Sequence, residues 1–394
     1  MEPEYEYLLH LLGAYLREEP PRERDDVNWI RLVQLSQIHC VTGILGYMSM
    51  TYPICPDGEL KGHLRSACLN TMGLFARRAA LADAFSGMLA ESGIDHILMK
   101  GYILRGYYPV PELRTYGDVD IVIRPEDREK AHERMCALGY HVETDWEPVF
   151  SYTKDCEYYE IHSEIMEVNV SEKADYRQYF QSMWQHTEAI GAHRYRFAPE
   201  FHFLYMLTHI AKHVTGSGAG IRMYLDVAAF VRHFGTALDW DWIRQELEML
   251  CFTDFANVVL LVMEQYFGVP APIPLKRVEE DTVRDFLEFT MAGGVFGRVG
   301  RDSGTLSLTS RSRGSGEISR VGTLAQRLFP AAKTIETRYT YLREKPWLLP
   351  AAWIHRLIKT RGDWRQHTEE AQNILLADKE AVRETKRLYE RIGL

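Results

Sequence analysis

Two aspartates one residue apart, Asp118 and Asp120, stand immediately ahead of the apolar run Ile121-Val122-Ile123. Side chains on a strand alternate between faces. The spacing therefore puts both carboxylates on one face and Val119, Ile121 and Ile123 on the other. The acids would lie roughly 6–7 Å apart along the strand. Carboxylates that close repel each other and cost stability unless a cation lies between them. Hard cations take oxygen clusters of this kind, and Mg²⁺ is usually shared between protein carboxylates and substrate phosphates. The chemistry to expect is phosphate handling at a divalent metal, Mg²⁺ or Mn²⁺.

The flanking residues fit that chemistry. Residues 94–99 read as a short buried strand that ends at Lys100-Gly101, and residues 102–108 read as a short helix. A glycine lets backbone approach a ligand closely, and amides opening a helix favour an anion. Lys100 would add a point charge for a phosphate. Arg114, in the loop before the acids, is either a surface cation or a planar fork for a phosphate. Downstream, Pro125 suits a first helical position, Glu126 and Asp127 its first turn, and Gly139 the stop. Strand, glycine turn, short helix, loop, acid-bearing strand and helix follow in that order, which sets phosphate donors beside metal acids.

This segment resembles the polymerase-β-like nucleotidyltransferase superfamily, whose members place a glycine-containing turn before a strand carrying Asp-x-Asp. More closely, it is similar to a bacterial family of uncharacterised nucleotidyltransferases. The residues that carry the likeness are Met99-Lys100-Gly101, Arg114, Asp118-Val119-Asp120 and Leu138-Gly139-Tyr140. Residues 202–226 and 324–356 extend it, so it covers most of the chain. One departure bears on how a triphosphate is held: the superfamily's usual Gly-Ser is Lys-Gly here. The resemblance implies an α+β fold, with a small mixed or antiparallel sheet and flanking helices embedded between N-terminal and C-terminal helical regions. It implies transfer of a nucleoside monophosphate from a nucleoside triphosphate, ATP among them, to a hydroxyl or similar acceptor, with release of pyrophosphate. It also requires a third acid on a strand beside the first two. Glu167, in the run IMEVNV, is the first choice as metal ligand or base. Glu160 and Glu164 stay open, because a one-residue slip in register exchanges the faces. The acceptor is a small molecule, a peptide or tRNA, the last as in toxin-like transferases. A nucleotide-binding regulator without turnover is the alternative of a different class.

The block 199–234 reads as two helices. His209 and His213 are four apart and share a face. The residues between them are Ile210, Ala211 and Lys212, so the zinc-protease pattern is absent, and two histidines alone make a poor zinc site. They are either structural residues facing the cleft or part of its chemistry. The glycine-rich turn 216–220 lacks the spacing of a Walker loop and reads as a connector. Arg222 and Asp226 follow on the second helix. The resemblance sets this helical pair against the nucleotide. It thus implies His209, His213 and Asp226 as nucleotide-binding residues beside Lys100, Gly101 and Arg114.

Composition bounds the rest. With 46% hydrophobic and 26% charged residues the chain is an ordinary globular one. A net charge of −9 argues against a bulk polyanion binder, though not against a local basic groove. No apolar run approaches the ~20 residues that span a bilayer. The acidic start lacks the features of a signal peptide. Six cysteines are scattered without CxxC spacing and read as reduced thiols, so a cytoplasmic protein without a membrane partner is expected. The expected division is 1–93 helical, 94–198 catalytic core, 199–291 helical, 292–322 a Gly/Ser/Arg-rich loop, and 323–394 helical. In the loop, Arg298, Arg301, Arg311 and Arg313 either contact an anionic acceptor or belong to a solvated linker.

Overall fold

A computed structural model describes residues 1–55, 58–146, 148–155, 157–166, 170–171, 173–216, 218–294, 305, 309, 320–336, 339–359 and 364–394. Four helices precede the first strand: α1 (Pro3–Arg17), α2 (Trp29–Ile38), α3 (Thr42–Thr51) and α4 (Glu59–Glu91). Proline and two glutamates in the first turn of α1 match the helix dipole, and Glu18 in the left-handed region stops it. Its apolar stripe, including Leu8, Leu12 and Tyr15, is fully buried.

A mixed seven-stranded sheet follows, with strands β1 (His96–Leu98), β2 (Val119–Ile123), β3 (His141–Trp146), β4 (Val149–Lys154), β5 (Glu157–His162), β6 (Thr187–Gly191) and β7 (Arg194–Phe197). Their spatial order is β3-β4-β5-β2-β1-β7-β6. β2 lies at the centre, antiparallel to β1 and parallel to β5. Helix α5 (Lys100–Leu104) leaves the end of β1, and α6 (Arg128–Ala137) follows β2. The α+β architecture is the expected one.

The alternation of β2 sorts its side chains between two cores. Val119, Ile121 and Ile123 pack with Phe85 and Leu89 of α4 and Met135 of α6. Val122, on the face that carries Asp120, belongs to the larger core instead. That core also holds residues of α1, α3 and the helices α8 (Pro199–Thr215) and α9 (Ile221–Phe234), which follow a short α7 (Tyr176–Phe180). Helices α10 (Trp240–Met249), α11 (Thr253–Val262) and α12 (Glu280–Gly293) come next, and helices at 320–328, 332–335, 349–359, 364–376 and 379–391 complete the described chain. Among the described residues, no helix is long and apolar enough to cross a membrane.

One expected strand takes another form. Ile165 and Met166, read as the opening of a strand through IMEVNV, lie in no strand. Both are buried in the larger core, whereas neighbours on a strand face opposite ways. The Ser163 N–H donates to Pro148 O at 2.9 Å, which carries the β4–β5 pairing one residue past His162, and the strand ends there. Glu167 and Asn169 lie outside the described residues, as do Arg298, Arg301, Arg311 and Arg313 of the Gly/Ser/Arg-rich stretch. The five described thiols outside that set, Cys40, Cys55, Cys68, Cys136 and Cys251, are unbridged.

Candidate active site

The Met99 N–H donates to Asp120 O at 2.9 Å, continuing the β1–β2 pairing by one residue. The next residue, Lys100, is therefore delivered beside Asp120, and its ammonium donates to Asp120 Oδ1 at 2.5 Å. Lys100 opens α5 with φ +51°, a left-handed conformation uncommon for a side-chain-bearing residue. Gly101 is needed for a different reason. A Cβ there would stand 2.5 Å from an Arg114 guanidinium nitrogen and 2.7 Å from Tyr116 Cβ. The close approach that this structure shows comes from Arg114 and Tyr116.

β5 contributes the second half. Its parallel register pairs Asp120 with Glu160, so the two share a face, and His162 falls two residues further along the same face. His162 Nε2 lies 2.9 Å from Asp120 Oδ1 and 3.6 Å from Glu160 Oε2. One ligand atom from each of Asp120, Glu160 and His162 lies within 4.8 Å of the others. Asp118, just before β2, opens into the same cavity.

Burial and charge set the protonation of these groups. Burial alone would raise the Asp120 carboxyl, but Lys100 and His162 hold it below the usual carboxylate range. Burial would lower Lys100, but the Asp120 charge keeps it firmly protonated. His162 follows the same logic: desolvation opposes its charge, and hydrogen bonds to Asp120 and Glu160 raise it on balance. Asp118 has less compensation. Burial, followed by repulsion from Asp120, pushes it up to about 6.

The cavity has a volume of about 340 Å³ and runs from these groups to α8 and α9. His209 and His213 both line it, their Nε2 atoms 3.2 Å apart. Burial, then the neighbouring cations, lowers both, His213 to about 4, so they are neutral imidazoles. Arg114 lines the cavity as well, but it is buried and already engaged. Its Nε and one terminal nitrogen donate to the two oxygens of Asp226 at 2.9 and 2.5 Å, and Tyr108 OH donates to the same carboxylate at 2.7 Å. Asp226 thus accepts three hydrogen bonds from Arg114 and Tyr108. In this structure the pair acts as a bolt between the loop before β2 and helix α9.

The structure thus brings Lys100, Gly101, Arg114, Asp118, Asp120, His209, His213 and Asp226 to one cavity. Glu160 stands where the third acid was sought, and Glu167 cannot be compared with it. His162 was missed altogether. Its signal was present, because Glu160-Ile161-His162 repeats on β5 the alternating polar pattern of Asp118-Val119-Asp120 on β2. The donor set, carboxylate oxygens and one imidazole converging beside a lysine, is one that divalent cations accept.

The profile of the uncharacterised nucleotidyltransferase family matches residues 25–268, more than half of the chain, and the chain belongs to that family. Neither a curated protein nor a solved structure matches it.

Proposed function

We propose, starting from that membership, that the protein transfers a nucleoside monophosphate from a nucleoside triphosphate to a hydroxyl acceptor and releases pyrophosphate. The observation that carries this reading is the convergence of Asp118, Asp120 and Glu160 with Lys100 on one cavity. Asp118 and Asp120 would hold Mg²⁺ or Mn²⁺, with Glu160 as third ligand or proton acceptor, His162 beside them, and Glu167 left as the alternative acid. A divalent cation bound there supplies charge neutralisation at the phosphates and lowers the pKa of a hydroxyl. The acceptor oxygen bonds to the α-phosphorus as the bond from that phosphorus to the pyrophosphate oxygen breaks, and the hydroxyl proton passes to a cavity carboxylate. Lys100, released from Asp120 when the metal charge replaces its own, would meet the phosphates. The Gly101 amide would lie beside them, and His209 and His213, neutral, would face the nucleotide without adding charge. The Arg114–Asp226 pair would hold the wall that the nucleotide rests on.

The test is transfer of radiolabel from α-labelled nucleoside triphosphates into cell extract, with Mg²⁺ or Mn²⁺. Asp120→Asn and Glu160→Gln should each lower transfer on the order of 10³-fold, as loss of several kcal/mol of charge stabilisation requires. Retained turnover in folded Asp120→Asn protein would refute the assignment. Sensitivity of the labelled product to ribonuclease or protease sorts an RNA or peptide acceptor from a small molecule.

A further inference from the structure

Arg222, in the first turn of α9, lines the same cavity as the acids. A guanidinium taken out of water costs stability unless an anion answers it. Among the described residues no carboxylate forms an ion pair with Arg222, and the nearby Asp226 charge offsets the burial only in part. The carboxylate nearest in sequence on α9, Asp226, is taken by Arg114 through two hydrogen bonds and by Tyr108 through a third. What Arg222 has is a neutral partner: its terminal nitrogen donates to Thr115 Oγ1 at 2.8 Å. Thr115 in turn donates to Cys40 O at 2.9 Å, which fixes the hydroxyl that orients the guanidinium. The side chain is therefore aimed, half-buried and, among the described residues, without a carboxylate of its own to pair with. Burial and the neighbouring Arg114 cation lower its pKa to about 10, and the Asp226 charge, which Arg114 shares, opposes them only in part.

We infer that Arg222 is the oxyanion receptor of the cavity, taking the polyphosphate end of the nucleotide by its planar fork. The inference rests on the nucleotidyltransferase reading and adds the residue that anchors the leaving group. It also accounts for the absent Gly-Ser: with Lys-Gly at positions 100–101, part of the phosphate recognition shifts to α9. A fork presents two parallel donors to phosphate oxygens, and a hydrogen bond to a charged group of this kind is worth roughly 10- to 100-fold in affinity.

The experiment is calorimetric titration of the full-length protein with inorganic tripolyphosphate, the four nucleoside triphosphates and the four monophosphates, in Mn²⁺. Arg222→Gln should weaken tripolyphosphate and the preferred triphosphate by about 10-fold or more while leaving the monophosphate and Mn²⁺ affinities unchanged. Arg222→Lys, which keeps the charge and loses the fork, should fall between the two. Without ligand, the melting temperature of Arg222→Gln should equal or exceed that of the parent protein, because a desolvated charge that is only partly compensated has been removed. Undiminished tripolyphosphate affinity in folded Arg222→Gln, or a lowered melting temperature with affinity intact, would overturn the assignment and leave the parent reading standing. If the parent protein itself binds no tripolyphosphate and no triphosphate, both fall.

Discussion

Asp120 illustrates how one buried carboxylate can be kept ionised. It is 2% exposed, and Lys100 and His162 share its Oδ1 at 2.5 and 2.9 Å. The Lys100 ammonium and the His162 hydrogen bond on one oxygen keep the acid ionised, the state a metal needs. The acid pair and its lysine were legible from sequence because strand alternation and a following glycine are local signals. That Glu160 is the acid paired with Asp120 was not, since it depends on a β2–β5 register that only the folded sheet fixes. Gly101 was legible as a special position, but the packing of Arg114 and Tyr116 against it was not. This gives a residue-scale prediction. In Gly101→Ala the new methyl meets Arg114 and Tyr116, and both are held: Arg114 by Asp226, and Tyr116 within the smaller core. Overpacking of that kind costs about 1–3 kcal/mol. Urea denaturation should show the loss. A variant as stable as the parent would mean that the Arg114 side chain has another place to go.

Helix α8 carries a different liability. Its spacing brings His202, His209 and His213 into the cavity wall, and each has its pKa lowered, first of all by burial. Periodicity located the helix well, because residues at 203, 204, 207, 210, 211 and 214 form a continuous apolar face. It could not say what the histidines meet, since their neighbours come from α5, β2, β5, β7 and α9. The consequence for stability has a definite sign. His202, 5% exposed, has a folded pKa of about 4 against an ordinary 6.5. Below pH 6.5 the unfolded chain therefore binds a proton that the folded one refuses. Stability contributed by neutral His202 is fully present above pH 6.5 and is lost as pH falls towards 4, by about 1 kcal/mol between pH 6.5 and 5.5. Only the nearby Asp226 charge works against the shift. Urea midpoints measured at pH 7.5 and 5.5 should converge in His202→Gln relative to the parent protein. The change in slope is the readout, since glutamine has its own burial cost. An unchanged slope would show that the imidazole is charged or solvated in the folded state.

At the scale of the molecule, the site depends on residues far from it in sequence. The last helix, Lys379–Arg391, packs Leu388 and Tyr389 into the larger core. Tyr389 OH donates to Val214 O, in the last turn of α8, at 2.6 Å, and its ring meets Phe289 edge-on at 5.9 Å. Arg391 ties the same helix to α12 through Asp285 at 2.8 Å and Thr282 at 2.9 Å. The stretch 323–394 was read as helical, but nothing in the sequence indicated which surface its last helix would meet. The expected boundary at 323 describes composition, whereas Tyr389 and Val214 are 175 residues apart and touch. Removing that ring should therefore be felt at the cavity. Tyr389→Ala deletes a fully buried aromatic and should cost about 3–5 kcal/mol, while Tyr389→Phe, which loses one hydrogen bond, should cost about 1 kcal/mol. The same two variants should rank in Mn²⁺-dependent nucleotide affinity as they rank in stability, because Val214 follows His213 directly on the helix that walls the cavity. If Tyr389→Ala is destabilised as expected yet binds nucleotide like the parent protein, the end of α8 moves independently of the His209–His213 face, and the last helix supports the fold without shaping the site.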